Sequence, residues 1–545
     1  MRSSDKPEHP QTEQKLAKLL PCLIVAIIIA VTAAIRFRLL DVPLERDEGE
    51  YAYAGQLMLE GVPPYSLVYN MKMPGIYAAY ALILAAFGQT CAGIHLGLLI
   101  VNAATIVLIF LLAKYLADSW AGVLAAAAFA VMSLTLPVEG LFANAEHFAI
   151  LFAIAGLLFL LYAIDRNKPI ALLASAILFG LGFLMKQHAV AFVVFAGLYL
   201  LFSLLRRRPF RFIPFVITTG LFAVGAALPF GLTCLLLWRA GVFEKFWFWT
   251  FMYAREYVSV VSIRDGLGFL KLRIIWIVGS AIPIWILAAV GLAILFINRK
   301  IRYRCPFVLG LLLFSFLATC PAFYFRPHYF ILLLPALALL SGVGLSGIRH
   351  ALEPKMPTVA KNLITVLLAL AAPLYTLYHQ KNYLFESNPA VVSRMTYGVN
   401  HFPAYLEIAE YIKSHSSTDD TIAVLGSEPE IFFYAHRRSA AGYIYFYPLM
   451  EPQPYALQMQ QEMIRQIEAA QPRFFLIEYT SFNWIARSTS NILTVDWLQQ
   501  YGRHYHLVGL VDFASDDTEV YHWNGDATRY LSTFLYGVVV LQRNQ

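Results

Sequence analysis

Residues 20–54 read LPCLIVAIIIAVTAAIRFRLLDVPLERDEGEYAYA. The chain is apolar from Leu19 to about Ala34 and then meets Arg36 and Arg38. A helix rising 1.5 Å per residue needs about 20 apolar residues to cross the hydrocarbon core of a bilayer. No small-residue cleavage site follows, so 17–39 reads as a retained signal-anchor helix, with residues 1–16 as a short cytoplasmic tail. The second half changes character at once. Asp41, Glu45, Arg46, Asp47, Glu48 and Glu50 crowd into ten residues, and the pattern then turns helical, with Tyr51, Ala54 and Leu57 on one side. A membrane span that opens directly into carboxylates places ionisable chemistry at the membrane boundary.

The composition agrees. The 545 residues are 59% hydrophobic and 14% charged, where a soluble chain is about 45–50% apolar and about 25% charged. Too few charges remain to cover a water-facing surface, which excludes a disordered protein, a disulfide scaffold and an ordinary cytosolic enzyme. The distribution is uneven: long apolar runs cut by short charged loops fill 17–378, whereas 379–545 has soluble composition. Expected spans are 17–39, 93–113, 120–138, 146–164, 169–185, 189–205, 212–237, 274–297, 305–322, 328–347 and 359–378. The run Gly75–Gly88 covers only about 21 Å.

Orientation decides what that short run is. The net charge of +7 resides in short loops, notably Arg206–Arg208 with Arg211, Arg299–Arg304 and Arg349–Lys355. That pattern sets topology and does not suggest nucleic acid. About eleven spans, with 75–88 juxtamembrane or re-entrant, put every basic cluster inside; if 75–88 crosses, the count rises to about twelve or thirteen. The same parity places outside the loops 40–74, 138–146, 238–273 and 323–328, the stretch Lys186–His188, and the whole of 379–545. In that tail TIAVLG (421–426), RFFLIEY (473–479) and HLVGLVDF (506–513) read as strands, and 403–414 and 454–470 as helices opened by proline. Strands alternating with helices suggest a small α/β domain of Rossmann-like layering, without the GxGxxG that nucleotide binding would need. The five cysteines, Cys22, Cys91, Cys234, Cys305 and Cys320, lack metal-ligand spacing and none lies in the tail. No internal repeat is visible, which weighs against a secondary transporter.

Several outer residues invite both a structural and a chemical reading. Asp47, beside Glu48 and flanked by Arg46, is favourable at a helix start through the macrodipole. It is also placed to take a proton from an attacking hydroxyl; a neighbouring acid would raise its pKa and Arg46 would lower it. Lys72 and Lys186 are snorkelling lysines or cations for a lipid phosphate. YFRPHY (324–329) gathers Arg326, His328 and Tyr329 into a basic-aromatic knot suited to a phosphate and a sugar ring, or to an interfacial belt. EKFWFWTFMYAREY (244–257), with Arg255, beds a lipid chain or sugar, or lies on the membrane surface. In GSEPEIFFY (426–434) the preferred reading makes Ser427 an N-cap with Glu428 and Glu430 in the first turn; the other makes it an acceptor site.

The acidic pair straight after the first span, the Tyr-Ala step, Gly61-Val-Pro-Pro-Tyr65 and Lys72-Met-Pro-Gly75 resemble the integral-membrane GT-C glycosyltransferases, which include protein O-mannosyltransferases and aminoarabinose transferases. The resemblance runs over about 20–350 and more loosely over the tail. It implies a GT-C-like polytopic helical domain in a bacterial-type plasma (inner) membrane, N-terminus cytoplasmic. It also implies a polyprenyl-phosphate sugar donor and a lipid, glycan or protein acceptor. By the same resemblance Asp47 is the base, with Glu48 beside it and Glu146, ahead of Glu139, as the second acid. Lys72, Lys186, Arg326 and His328 would meet the donor phosphate, and Tyr51, Tyr65, Arg255 and Tyr329 the substrates. Relatives often read Lys-Pro-Pro where this chain has Lys72-Met73-Pro74, and some carry an arginine after the acidic pair where this chain has Gly49 and Glu50. One displacement with one base inverts the anomeric centre without a second nucleophilic carboxylate. No cofactor is demanded; a divalent cation is compatible with clustered carboxylates. The competing expectations are a polyprenyl-lipid or sugar flippase without transferase activity, and a non-catalytic assembly protein.

Overall fold

The computed structural model describes residues 9–299, 301–353, 355–398, 400–479, 487–515, 518–531 and 533–544. Half of the expected cytoplasmic tail, residues 1–8, lies outside them, as do Lys300 and Pro354 of the expected basic clusters. The chain divides into two compact units. One comprises the residues up to Leu39 with Leu98–Gly231 and Val261–Phe385; the other comprises Leu40–Gly97, Leu232–Val260 and Glu386–Gln545.

The chain opens with α1 (His9–Phe37), α2 (Arg46–Leu59), α3 (Pro74–Phe87) and α4 (Cys91–Leu116). Among the described residues six helices are long and apolar enough to cross a membrane: Leu19–Phe37 within α1, α4, Ala145–Arg166, Gln187–Leu205, Phe212–Arg239 and Thr358–His379. Two expected spans are shorter than the sequence reading gave them: 120–138 becomes Ser119–Met132, 14 residues or about 21 Å of helix, and 305–322 becomes Cys305–Leu317, 13 residues. Pro169–Met185 has the 17 residues expected of it, and α3, with 14 residues, matches the short run 75–88. The expected span 274–297 is not one helix. Ile263–Ser280 and Ile282–Ile297 meet at a bend of 100°. Ala281 leaves helical geometry (φ −144°, ψ 37°) and proline opens the second segment, where its ring and missing N–H stop the preceding helix from running on.

Within the first unit the helices pack by close backbone approach. A Cβ on Gly291 would lie 1.9 Å from the Leu340 carbonyl, and one on Gly344 2.2 Å from that of Leu287. Glycine at both places lets Ile282–Ile297 cross Leu334–Leu352 without side chains between them, the small-residue packing that membranes favour in place of hydrophobic burial.

Among its described residues the second unit holds one six-stranded sheet: β1 (Thr421–Leu425), β2 (Arg438–Ser439), β3 (Phe474–Tyr479), β4 (Tyr505–Ser515), β5 (Thr518–Trp523) and β6 (Gly537–Arg543), in the order β2-β1-β3-β6-β4-β5. β1 runs parallel to both β2 and β3. β6 then pairs antiparallel with β3 and β4, and β4 with β5. The layering expected from the sequence thus describes half of a mixed sheet. β1 and β3 are buried nearly throughout and read as unbroken apolar runs, whereas β5 is half-exposed along its length and β2 has two residues; neither offers a run to recognise. The core of this unit joins Leu425, Met463 and Phe475 to Tyr69, Trp249 and Tyr253. The loop 40–74 and the aromatic stretch 244–257 therefore fold with the tail.

Candidate active site

α2 starts with a reciprocal cap. The Glu45 side chain accepts from the Glu48 backbone N–H at 2.9 Å, and the Glu48 side chain accepts from that of Glu45 at 3.2 Å. This satisfies two of the donors that a helix start leaves open. Asp47 follows in the first turn, where the macrodipole favours a carboxylate. Lys72 Nζ donates to Asp47 Oδ2 at 2.6 Å, each side chain about one-fifth exposed. The Tyr51 hydroxyl stands 3.4 Å from the same oxygen, and its ring lies under the ammonium at 5.5 Å. The loop that presents Lys72 is braced by Tyr65, in the left-handed region at φ 67°, whose hydroxyl donates to the Lys72 carbonyl at 2.6 Å.

One turn on, Glu50 is fully buried. It accepts from Asn70 Nδ2 at 2.6 Å, from the Tyr77 hydroxyl, and from the Tyr445 hydroxyl at 3.0 Å. Burial pushes its carboxyl up to about 7; Asp47 adds to the push, and Lys72 and the two tyrosine hydroxyls oppose it. Burial alone would lower the Lys72 ammonium, but the carboxylates of Asp47 and Glu50 outweigh it and hold the lysine above its ordinary value. The lysine stays charged because two acids share it.

The neighbours in the motif turn elsewhere. Arg46 pairs with Glu428 at 2.7 Å and donates through Nε to the Ser427 carbonyl at 2.6 Å; burial alone would lower the guanidinium, but the Glu428 carboxylate outweighs it and holds it charged. Ser427 does not cap the helix Glu430–Ala435, because its hydroxyl accepts from the Phe446 backbone instead. His95 Nδ1 lies 2.7 Å from the Leu40 carbonyl and Nε2 3.1 Å from Glu48 Oε1. A carbonyl only accepts, so Nδ1 carries a proton, and the Nε2–Glu48 contact holds a second one on either partner.

The first unit contains a separate charged cluster. Glu146, in the first turn of Ala145–Arg166, forms a buried ion pair with Lys186. The ammonium lies 4.6 Å above the Tyr329 ring, which the His188 ring meets edge-on, also at 4.6 Å. His328 Nδ1 is 2.8 Å from Glu139 Oε2. Arg326 is exposed above the Tyr324 ring, in a segment where Ala322, Phe323 and Phe325 all have positive φ, the kind of backbone strain that surrounding structure must hold.

A family model described as dolichyl-phosphate-mannose-protein mannosyltransferase matches residues 71–238. The crystal structure of ArnT from Cupriavidus metallidurans bound to undecaprenyl phosphate is similar over 95% of this chain and 97% of its own, with a TM-score of 0.58 at 15% identity. The chain shares the fold of that structure. The apo state of that ArnT gives a TM-score of 0.56 at 16% identity, with coverage of 95% and 97%. The Archaeoglobus fulgidus oligosaccharyltransferase AglB, in complex with an inhibitory peptide and a dolichol-phosphate, gives 0.53 at 13% identity over 94% of this chain and 75% of its own. No curated protein matches the chain in sequence.

In this chain the expected site residues separate into two groups. Asp47, Glu48, Lys72, Tyr51 and Tyr65 come together around the start of α2, whereas Glu146, Lys186, His328 and Tyr329 gather in the first unit, with Arg326 at the exposed end of the same loop. Arg255 is exposed on the helix Ala254–Val258. Tyr51 and Tyr65 are buried and brace the Asp47–Lys72 pair from behind. The sequence reading missed the roles of Glu50, Asn70, Tyr77 and Tyr445. Spacing held a signal for Glu50, three residues after Asp47 and hence on a neighbouring part of the same helix face; nothing local could have pointed to Tyr445. Among the described residues no group of three or more His, Cys, Asp or Glu is placed to hold a metal.

Proposed function

We propose that the protein transfers a sugar from a polyprenyl-phosphate donor to a hydroxyl of a lipid, polysaccharide or protein, with inversion, at the outer face of a bacterial-type inner membrane. The observation that carries the reading is the Asp47–Lys72 pair, 2.6 Å apart and partly exposed, at the first turn after a membrane span in a GT-C fold. Asp47 takes the proton of the acceptor hydroxyl as its oxygen bonds to the anomeric carbon. The bond from that carbon to the phosphate oxygen breaks, and the phosphate leaves with its electron pair. Negative charge grows on the leaving oxygen, so a cation there acts more strongly on the transition state than on the bound donor. A donor phosphate would draw the Lys72 ammonium from Asp47 and release that carboxylate as a base, which makes the resting ion pair a closed state that the substrate opens. Lys186, Arg326 and His328 are further candidate cations for an anionic part of a substrate, and Glu146 a second candidate acid. A hexose or pentose donor fits this chemistry equally.

The test is Asp47→Asn in proteoliposomes supplied with polyprenyl-phosphate sugars. Transfer should disappear while insertion and thermal unfolding stay as in the wild type; full activity in this variant removes Asp47 from the mechanism. Cysteine labelling at position 302 and in the tail tests the orientation, with 302 reacting from the cytoplasmic side only.

A further inference from the structure

Glu50 is tied to three segments that are far apart in sequence. Asn70, two residues before Lys72, donates to Oε2, and Tyr77, five residues after it, donates to Oε1. Tyr445, 395 residues away, reaches Oε2 at 3.0 Å and stands 3.1 Å from the Arg46 carbonyl on the same helix. The chain around Tyr445 is locked to the same loop: the Tyr69 backbone donates to the Gly442 carbonyl at 2.8 Å, and the Ser439 N–H donates to the Tyr53 hydroxyl of α2 at 2.7 Å. Residues 440–446 are all buried.

A carboxylate in such a place needs its hydrogen bonds, because a buried charge without them is expensive. Here the donors come from both sides of Lys72 and from the C-terminal domain. The Glu50 charge therefore fixes the Lys72 loop against α2 and, through Tyr445, makes the domain's segment 442–447 part of the frame around the Asp47–Lys72 pair. We propose that Glu50 is a positioning residue through which Tyr445 of the C-terminal domain sets the placement of Lys72 against Asp47. This rests on the transferase reading above as far as catalysis is concerned. It assigns the C-terminal domain a direct part in that centre, and it predicts that a single hydroxyl in the domain is felt at Lys72.

Three variants decide it: Glu50→Gln, Tyr445→Phe and the double variant, in full-length protein in nanodiscs. The first readout is the reactivity of the Lys72 amine toward an acylating reagent, followed by mass spectrometry of its peptide. Each single variant should raise it several-fold, because the ammonium loses part of the field and frame that hold it protonated, and the double variant should go no further. The second readout is sugar transfer, where kcat should fall by roughly tenfold to a hundredfold from misplacement of about 1 Å or less, with KM for the donor within twofold of wild type. If Tyr445→Phe leaves Lys72 reactivity at the wild-type level, or if the single effects multiply in the double variant, the proposal is wrong. Should Glu50→Gln fail to fold, Tyr445→Phe alone decides through the labelling. Wild-type protein that transfers no sugar removes the transferase reading, and the labelling then still decides the role of Glu50.

Discussion

Gly49 is the least conspicuous residue of the acidic motif and the one whose replacement has the most predictable consequence. A Cβ there would lie 2.7 Å from both the Cβ and the N of Glu430 and 2.9 Å from its Cα. Unstrained carbon contacts are about 3.5–4.0 Å, so Gly49→Ala requires about 1 Å of separation between α2 and the helix Glu430–Ala435. No rotamer change relieves it, because two of the three atoms are backbone. Overpacking of this kind costs about 1–3 kcal/mol. Alanine returns about 1 kcal/mol through helix propensity, but the movement also stretches Arg46–Glu428 at 2.7 Å and Arg46–Ser427 at 2.6 Å, charge-assisted bonds of about 1.5–3 kcal/mol each. The expected net loss is about 2 kcal/mol, concentrated at this contact, and a tenfold change corresponds to about 1.4 kcal/mol. Hydrogen exchange by mass spectrometry should therefore show peptides across 425–435 and 442–447 exchanging roughly thirtyfold faster in Gly49→Ala. Gly220→Ala serves as the control: no atom lies within 4 Å of its added Cβ, and its exchange should match the wild type or slow slightly. Unchanged protection at 425–435 in Gly49→Ala, with the control behaving as expected, refutes the close approach on which the argument depends.

Two further outcomes follow from the buried charges. Lys186→Met leaves Glu146 buried without its cation and should cost about 3–5 kcal/mol, seen as a large drop in thermal unfolding temperature in detergent; adding Glu146→Gln should recover most of it, and equal stability of the single and double variants would show the pair to be energetically idle. Glu430 and Glu478 are held well above the ordinary carboxylate value of 4.5, first by burial and then by the charge of Glu428. The folded state keeps protons that the unfolded state releases. Their contribution is complete below about pH 4.5 and declines as pH rises toward the raised values, so Glu430→Gln should flatten this decline and unfold at a higher temperature than wild type at pH 7 and above; a variant with the same pH slope as wild type would contradict it.

The parts of the fold that were legible are those written in local pattern. The long apolar runs, the strands β1, β3 and β4, and the helices over 402–414 and 456–470 announce themselves by period and composition. The break at Ala281 was not read because the flanking residues are apolar on both sides, although Pro283 marks it. β6 has the run Gly-Val-Val-Val at 537–540 and could have been recognised; β2 and β5 could not, since their place in the sheet comes from their partners. The same division runs through the site. Asp47 and Lys72 stand out as ionisable residues beside a membrane span, whereas nothing in the residues around Ser427 shows that Glu428 faces Arg46 or that the Ser427 hydroxyl faces Phe446.

The motif Arg46-Asp-Glu-Gly-Glu50 resolves that difference into geometry. Successive residues of an α-helix point about 100° apart, so one turn presents each of its members to a different neighbour. Arg46 meets Glu428, Asp47 meets Lys72, Glu48 meets His95, Gly49 meets the backbone of Glu430, and Glu50 meets Asn70, Tyr77 and Tyr445. A sequence reading sees five adjacent residues and infers one chemical cluster. The fold distributes them: of the three acids, Glu48 and Glu50 are buried and Asp47 is left partly exposed beside a cation. On the proposed reading that exposure is what lets Asp47, and not the other two, exchange a proton with a substrate. The neighbours carry charge because the turn is packed on every side by segments from distant parts of the chain. A substitution of Arg46, Glu48 or Glu50 should therefore disturb activity through structure, each through its own partner, whereas Asp47→Asn should remove it without disturbing the structure.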